Sequence, residues 1–178
     1  MKLVLPIVLL STFGAVSGAS AAEMSKDELV CALDPACQKA KAGPATRGLT
    51  VTGQQQAKQP AAVDLYISFG INSSNLSPDG RATLDNLGSA LKDKKLESYT
   101  FLVGGHTDAK GSPQLNMRLS ERRAAAVRRY LVAKYHIQPT RLAVQGFGST
   151  QLLDPAKPED PVNRRVQILN TSTATAQQ

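Results

Sequence analysis

Two Ser-Pro pairs, Ser77-Pro78 and Ser112-Pro113, constrain this chain more than any other feature. A serine hydroxyl caps the free N–H groups of a helix's first turn, and a proline in the first helical position has no N–H to lose. Each pair therefore opens a helix. Behind the first, Leu84, Leu87, Gly88 and Leu91 recur at helical spacing; behind the second, the periodic pattern runs to about Lys134. Alternating segments surround these helices. Val63, Leu65, Ile67 and Phe69 read as a half-buried strand, and Tyr99 to Val103 as a second that runs into Gly104-Gly105. A third strand, Leu142 to Gln145, ends at Gly146-Phe147-Gly148, and Asn163 to Leu169 forms the last after a polar loop with Pro155, Pro158 and Pro161. The pattern predicts an α/β sandwich (α+β) with its helices on one side of a sheet, and it leaves the strand order open.

The second helix also carries the main chemical signal. At 100° per residue, Asn116, Leu119, Arg123, Val127, Tyr130 and Leu131 share one stripe of ~120°, with Arg118, Arg122 and Arg129 opposite. Arg123 thus sits among apolar neighbours. A guanidinium keeps its proton there and needs an anion, from its own protein or from a ligand. Asp108, in Gly105-His106-Thr107-Asp108 at the end of the preceding strand, is the natural first partner.

Gly-His-Thr-Asp, the segment from Asn116 through Leu119-Ser120 to Arg123-Ala124, Arg141-Leu142 with Gly146-Phe147-Gly148, and Asn163-Arg164-Arg165-Val166 follow one another in order. Together they resemble the OmpA-like C-terminal domain family over residues 63–170. The resemblance implies a mixed sheet in the order β-α-β-α-β-β. It also implies non-covalent binding of peptidoglycan through the diaminopimelate of the stem peptide. Carried over residue by residue, it assigns ligand contacts to Asp108 and Arg123, to Asn72 in the loop after the first strand, and to Asn116, Arg164 and Thr107, with Gly105 offering backbone groups. Diaminopimelate displays an ammonium and a carboxylate on one carbon. A carboxylate side chain accepts from the first, and a guanidinium meets the second with two parallel donors.

Bland alternatives stand beside these roles. An internal Asp108–Arg123 salt bridge would fix the helix on the strand end, Asn72 would form a turn, and Asn116 would bond to backbone. Leu119 and Ser120 read as packing. Arg165 alternates to the face opposite Arg164. Where relatives often carry a further Arg or Asn, this chain has Pro158-Glu159-Asp160-Pro161, which changes the rim of such a site.

Outside this region, Lys2, the apolar run from Leu3 and the small residues Ala19-Ser20-Ala21-Ala22 read as a signal peptide over residues 1–22. Such a leader directs the protein to the periplasm, with possible association with the outer membrane. Its loss would lower the net charge from +7 to +6, which favours an anionic partner. Aromatic residues make up 4% with no tryptophan, which argues against stacking platforms for nucleic acid. Residues 23–62 read as an N-terminal segment and flexible linker, with a short helix from Asp27 to Leu33 stopped by Pro35. About forty residues between leader and first strand are too few for even an eight-stranded membrane barrel.

Cys31 and Cys37 are the only cysteines, and an oxidising compartment predicts one disulfide between them, outside the folded core. A metal site would need four ligands, and neither histidine has matching spacing; no cofactor is implied. Residues 171–178 read as a polar tail. No serine stands in a nucleophile elbow and no metal set is present, so the chain does not read as an enzyme. A second class of function remains open: an adaptor that binds an envelope protein through the segment from Cys31 to Pro60.

Overall fold

The computed structural model describes residues 24–41, 61–70 and 73–172. Its elements are α1 (Lys26–Leu33), α2 (Pro35–Lys41), β1 (Ala62–Leu65), α3 (Pro78–Leu91), β2 (Phe101–His106), α4 (Pro113–Tyr135), β3 (Leu142–Gly148) and β4 (Val166–Asn170), with short 3-10 turns at Pro139–Arg141 and Pro161–Asn163. Both Ser-Pro pairs cap as predicted: the Ser77 hydroxyl accepts from the Gly80 N–H and that of Ser112 from the Leu115 N–H.

The sheet order is β1-β4-β2-β3. β4 is antiparallel to both β1 and β2, whereas β2 and β3 are parallel and joined through α4. The sheet is therefore mixed, with the β-α-β-α-β-β order expected. One apolar core forms where Val63, Leu65, Phe101, Val103, Leu142, Val166 and Ile168 meet Leu84, Leu87 and Leu91 of α3 and Ala124, Val127 and Leu131 of α4. Strand limits differ from the alternation at two places. The β1 ladder ends at Leu65, and Phe69 instead makes an isolated bridge to Leu76. Ahead of β4, Asn163 lies in a 3-10 turn, so pairing begins only at Val166.

α4 approaches the sheet closely because glycines leave room for it. A Cβ at Gly105 would overlap the Ser120 carbonyl, and one at Gly146 would lie 2.7 Å from the Ser120 hydroxyl. Ser120 is fully buried; its hydroxyl donates to the Met117 carbonyl at 2.8 Å and accepts from the Gly148 N–H at 2.9 Å. The glycine of Gly-His-Thr-Asp thus serves helix packing.

The N-terminal segment bears out one expectation and corrects another. α1 ends at Leu33 ahead of Pro35; Asp34 accepts from the Ala36 N–H at 2.9 Å, and Pro35 begins α2 in the position where its missing N–H costs nothing. The cysteine segment, however, does not lie outside the core. Leu29, Val30 and Leu33 of α1 belong to the same apolar cluster as α3 and the sheet. The Asn170 amide, at the end of β4, donates to the Leu33 carbonyl at 3.0 Å, and Lys26 pairs with Asp93 at 3.3 Å. The short helix expected from Asp27 to Leu33 forms because a core receives its apolar face. The disulfide Cys31–Cys37, Cα to Cα 5.2 Å, links α1 to α2.

Candidate functional site

β2 ends at His106, and Thr107-Asp108 leave it toward the N-terminal turns of α4. The Thr107 N–H is used by the Gly148 carbonyl at 2.9 Å. Its hydroxyl is buried without a hydrogen-bond partner among the described residues. Asn116, in the first turn of α4, donates its amide to the Asp108 carbonyl at 3.3 Å and to the Lys110 carbonyl at 2.9 Å. The backbone-bonding reading of Asn116 therefore holds, and it fixes the loop that presents Asp108.

The ion pairing differs from the sequence expectation. Asp108 Oδ2 accepts from Arg164 Nη1 at 2.7 Å, and Oδ1 accepts from the Lys110 N–H at 3.2 Å. Arg164, not Arg123, is the partner of Asp108. Arg123 Nε donates to the Ser73 carbonyl at 3.1 Å, and its guanidinium lies 4.9 Å from the centre of the Phe69 ring. Among the described residues no carboxylate lies within ion-pair distance of it. Burial, and after it the neighbouring Arg164, push the Arg123 pKa down, while Asp108 pulls it up. The group nonetheless stays charged, since a guanidinium does not deprotonate in proteins.

These side chains border one cleft of about 400 Å³, lined by Thr107, Asp108, Asn116, Arg123 and Arg164 together with Phe69 and Leu119. Five of the six expected ligand residues meet there; Asn72 lies outside the described residues. Phe69 and Ser73 are the functional neighbours that sequence reasoning passed over. Phe69 was legible only as the last member of a strand alternation, and Ser73 contributes a carbonyl, which no side-chain pattern reports.

The loop before β4 forms the rim. Asn163 is fully buried, accepting from the Leu153 and Asp154 N–H groups at 2.8 and 2.9 Å and donating to the Lys157 carbonyl at 2.9 Å. It holds the loop in shape, and the Pro158 carbonyl takes the Ala109 N–H at 2.9 Å. In the acidic stretch, Glu159 faces Lys110 at 3.7 Å, both side chains well exposed. Arg164 and Arg165 lie ahead of β4, where strand alternation does not apply, and they take different carboxylates. Arg165 is 6% exposed, and its Nε donates to Asp64 at 2.9 Å.

Comparison with known proteins agrees with this fold and this motif set. The chain is 35% identical over 123 residues to outer membrane protein A of Bordetella avium, covering 65% of this chain and 62% of that protein. It is likewise 35% identical over 102 residues to the peptidoglycan-associated lipoprotein of Pseudomonas aeruginosa, covering 56% of this chain and 58% of that one. The chain thus spans about three-fifths of each of these relatives. Among solved structures, an OmpA-like domain from Francisella tularensis superposes with a TM-score of 0.52 at 23% identity, over 60% of this chain and 69% of that one, a likeness of fold. The model of the OmpA family matches residues 68–165, more than half of the chain and the whole stretch from Phe69 to Arg165 that builds the cleft, and the chain belongs to that family.

Proposed function

We propose that the cleft binds peptidoglycan non-covalently by gripping the zwitterionic end of diaminopimelate in a stem peptide. The observation that carries this reading is Arg123, a partly buried guanidinium whose only hydrogen bond among the described residues goes to a backbone carbonyl, facing the same cleft as Asp108. The ligand carboxylate meets the free donors of Arg123. The ligand ammonium meets Asp108, which has lone pairs to spare because an ionised carboxylate accepts at about four sites and two are occupied. The unpartnered Thr107 hydroxyl and the Arg164 guanidinium complete the contacts, and Asn116 holds the loop in place. Asn72 is proposed as a further contact from the loop that follows Gly70.

Two arginines and one aspartate leave the cleft net positive, which suits a ligand richer in carboxylate than in ammonium. Lysine-type stem peptides keep the ammonium but lack the second carboxylate, and they bind weakly on this reading. The role is that of a tether or organiser of the cell envelope rather than of an enzyme, with the protein exported by its leader to the periplasmic side of the outer membrane. Retention of the purified protein on isolated sacculi, challenged with meso-diaminopimelate, tests the proposal. Competitive release supports it; retention indifferent to meso-diaminopimelate but lost steeply with salt would mean that net charge alone does the binding.

A further inference from the structure

A second cavity, of about 320 Å³, adjoins the cleft and shares Phe69, Arg123 and Arg164 with it. Its least exposed lining side chain is His106, 1% exposed. The imidazole stacks on Phe147, centroids 5.0 Å apart and planes 14° from parallel, which fixes the ring. Among the described residues neither ring nitrogen has a well-formed hydrogen bond; the Gln151 carbonyl, whose pull the ring feels, already accepts from the two terminal nitrogens of Arg165 at 3.4 and 3.5 Å. An imidazole always carries at least one N–H, so a buried ring in this state leaves a donor unmet, and burying a donor without a partner is costly. Nearby polar groups are otherwise accounted for: Arg165 bonds to Asp64, and Arg164 to Asp108.

The charges around the cavity decide what could satisfy that donor. Arg123, Arg164 and Arg165 all line it, and only Arg123 lacks a carboxylate partner among the described residues. An ammonium would meet three guanidiniums. A neutral amide would satisfy His106 and leave Arg123 uncompensated. A carboxylate satisfies both. The ring offers its N–H as a neutral donor, because burial, and after it repulsion from Arg165, depress its pKa to about 4 against the pull of Asp64 and of the Gln151 backbone carbonyl. Among the described residues Arg123 uses only Nε internally, so its two terminal nitrogens can serve a carboxylate on either side.

We propose that this cavity is a second subsite, taking a carboxylate that accepts from the His106 N–H and from Arg123, so that the protein reads both carboxylates of a diaminopimelate that ends its peptide. This rests on the clamp reading above. The two carbon centres of diaminopimelate are joined by three methylenes, a short span that suits adjoining cavities with a shared arginine. Lengthening the stem converts the second carboxylate into an amide. The subsite therefore selects trimmed stems over extended ones.

The test uses the intact protein and two probes: N-acetyl-L-Ala-γ-D-Glu-meso-diaminopimelate with its chain-end carboxylate free, and the same peptide with that group as a primary carboxamide. Calorimetry is expected to find the carboxylate probe bound roughly tenfold or more tightly, as one satisfied charged contact would give. The His106 ring nitrogen resonances should move with that probe alone. In His106→Phe, which keeps the stack on Phe147, the preference should shrink toward unity while carboxamide affinity holds. Equal affinities, or an undisturbed His106 signal, would overturn the subsite and leave the clamp standing, provided Asp108→Ala still weakens both probes. If neither probe binds, clamp and subsite fall together. Should His106→Phe not fold, the resonances of the unaltered protein decide.

Discussion

Asp85 and Asp108 each gather cationic and hydroxyl groups, and they leave very different numbers of valences open. Asp85, between α3 and α4, receives Tyr130 Oη at 2.7 Å, Tyr135 Oη at 2.9 Å and Lys134 Nζ at 2.7 and 2.8 Å to its two oxygens. Every strong donor in that cluster has its acceptor, and the cluster stitches two helices together. Around Asp108 the accounts stay open among the described residues: Arg123 has no carboxylate, the Thr107 hydroxyl has no partner, and His106 behind it has no well-formed hydrogen bond at either nitrogen. Residue types are alike in the two places. Among the described residues the open buried groups gather at the site, where something outside the chain can meet them, with Arg128 Nε on α4 the exception.

The sharpest way to break this comparison is to remove the open groups. Asp108→Ala and Arg123→Ala are each expected to lose about 2–5 kcal/mol of sacculus binding, enough to abolish retention in a pull-down. Retention unchanged in both would sink the clamp. A smaller effect should separate Asn170, another saturated node. Asn170→Ala leaves the Leu33 carbonyl without its donor and is expected to cost about 2 kcal/mol in a denaturant melt, with sacculus binding intact. An unaltered melt would mean that α1 contributes nothing to the cooperative unit.

His106 gives a pH signature of comparable size. Its folded pKa is depressed to about 4 from an ordinary 6.5, so the unfolded chain binds the proton more readily. Stability from this group is fully present above pH 6.5 and is lost as the pH falls through that value toward 4, by roughly 2 kcal/mol between pH 7 and 5. His106→Phe should flatten the melting temperature across that window; a slope that persists unchanged assigns the effect elsewhere. Weaker again, Asp85→Ala should cost about 1 kcal/mol through the lost tyrosine hydroxyl bonds, while binding stays at its original level. Smallest of all is Arg122→Ala, on the exposed face of α4, for which binding and stability should both be unchanged within error. A loss of binding there would show that the wrong face of α4 has been assigned to the ligand.

Much of the fold was legible in the sequence because its determinants are local. Ser77-Pro78 and Ser112-Pro113 cap helices with atoms a few residues away, and the alternation through Val63 and Leu65 reports which face of β1 is buried. The helical phase that put Asn116 and Arg123 on one side of α4 is local in the same sense, and both reach the cleft. Motif resemblance added the residues that converge on that cleft from β2, α4 and the approach to β4.

What only the tertiary structure decided are the pairings between distant segments. Arg164 is close in space to Asp108 but far in sequence, and it takes the carboxylate that spacing alone had offered to Arg123. Gly105 owes its identity to the Ser120 carbonyl on another element. α1, legible as a short helix, is too short to be stable alone, and it joins the core because Leu29 and Leu33 find α3 and Asn170 reaches the Leu33 carbonyl. Local sequence sets propensities and faces; which buried polar groups end up satisfied depends on the whole chain closing around them, and in this protein that closure leaves Arg123, Thr107 and His106 facing the cavities.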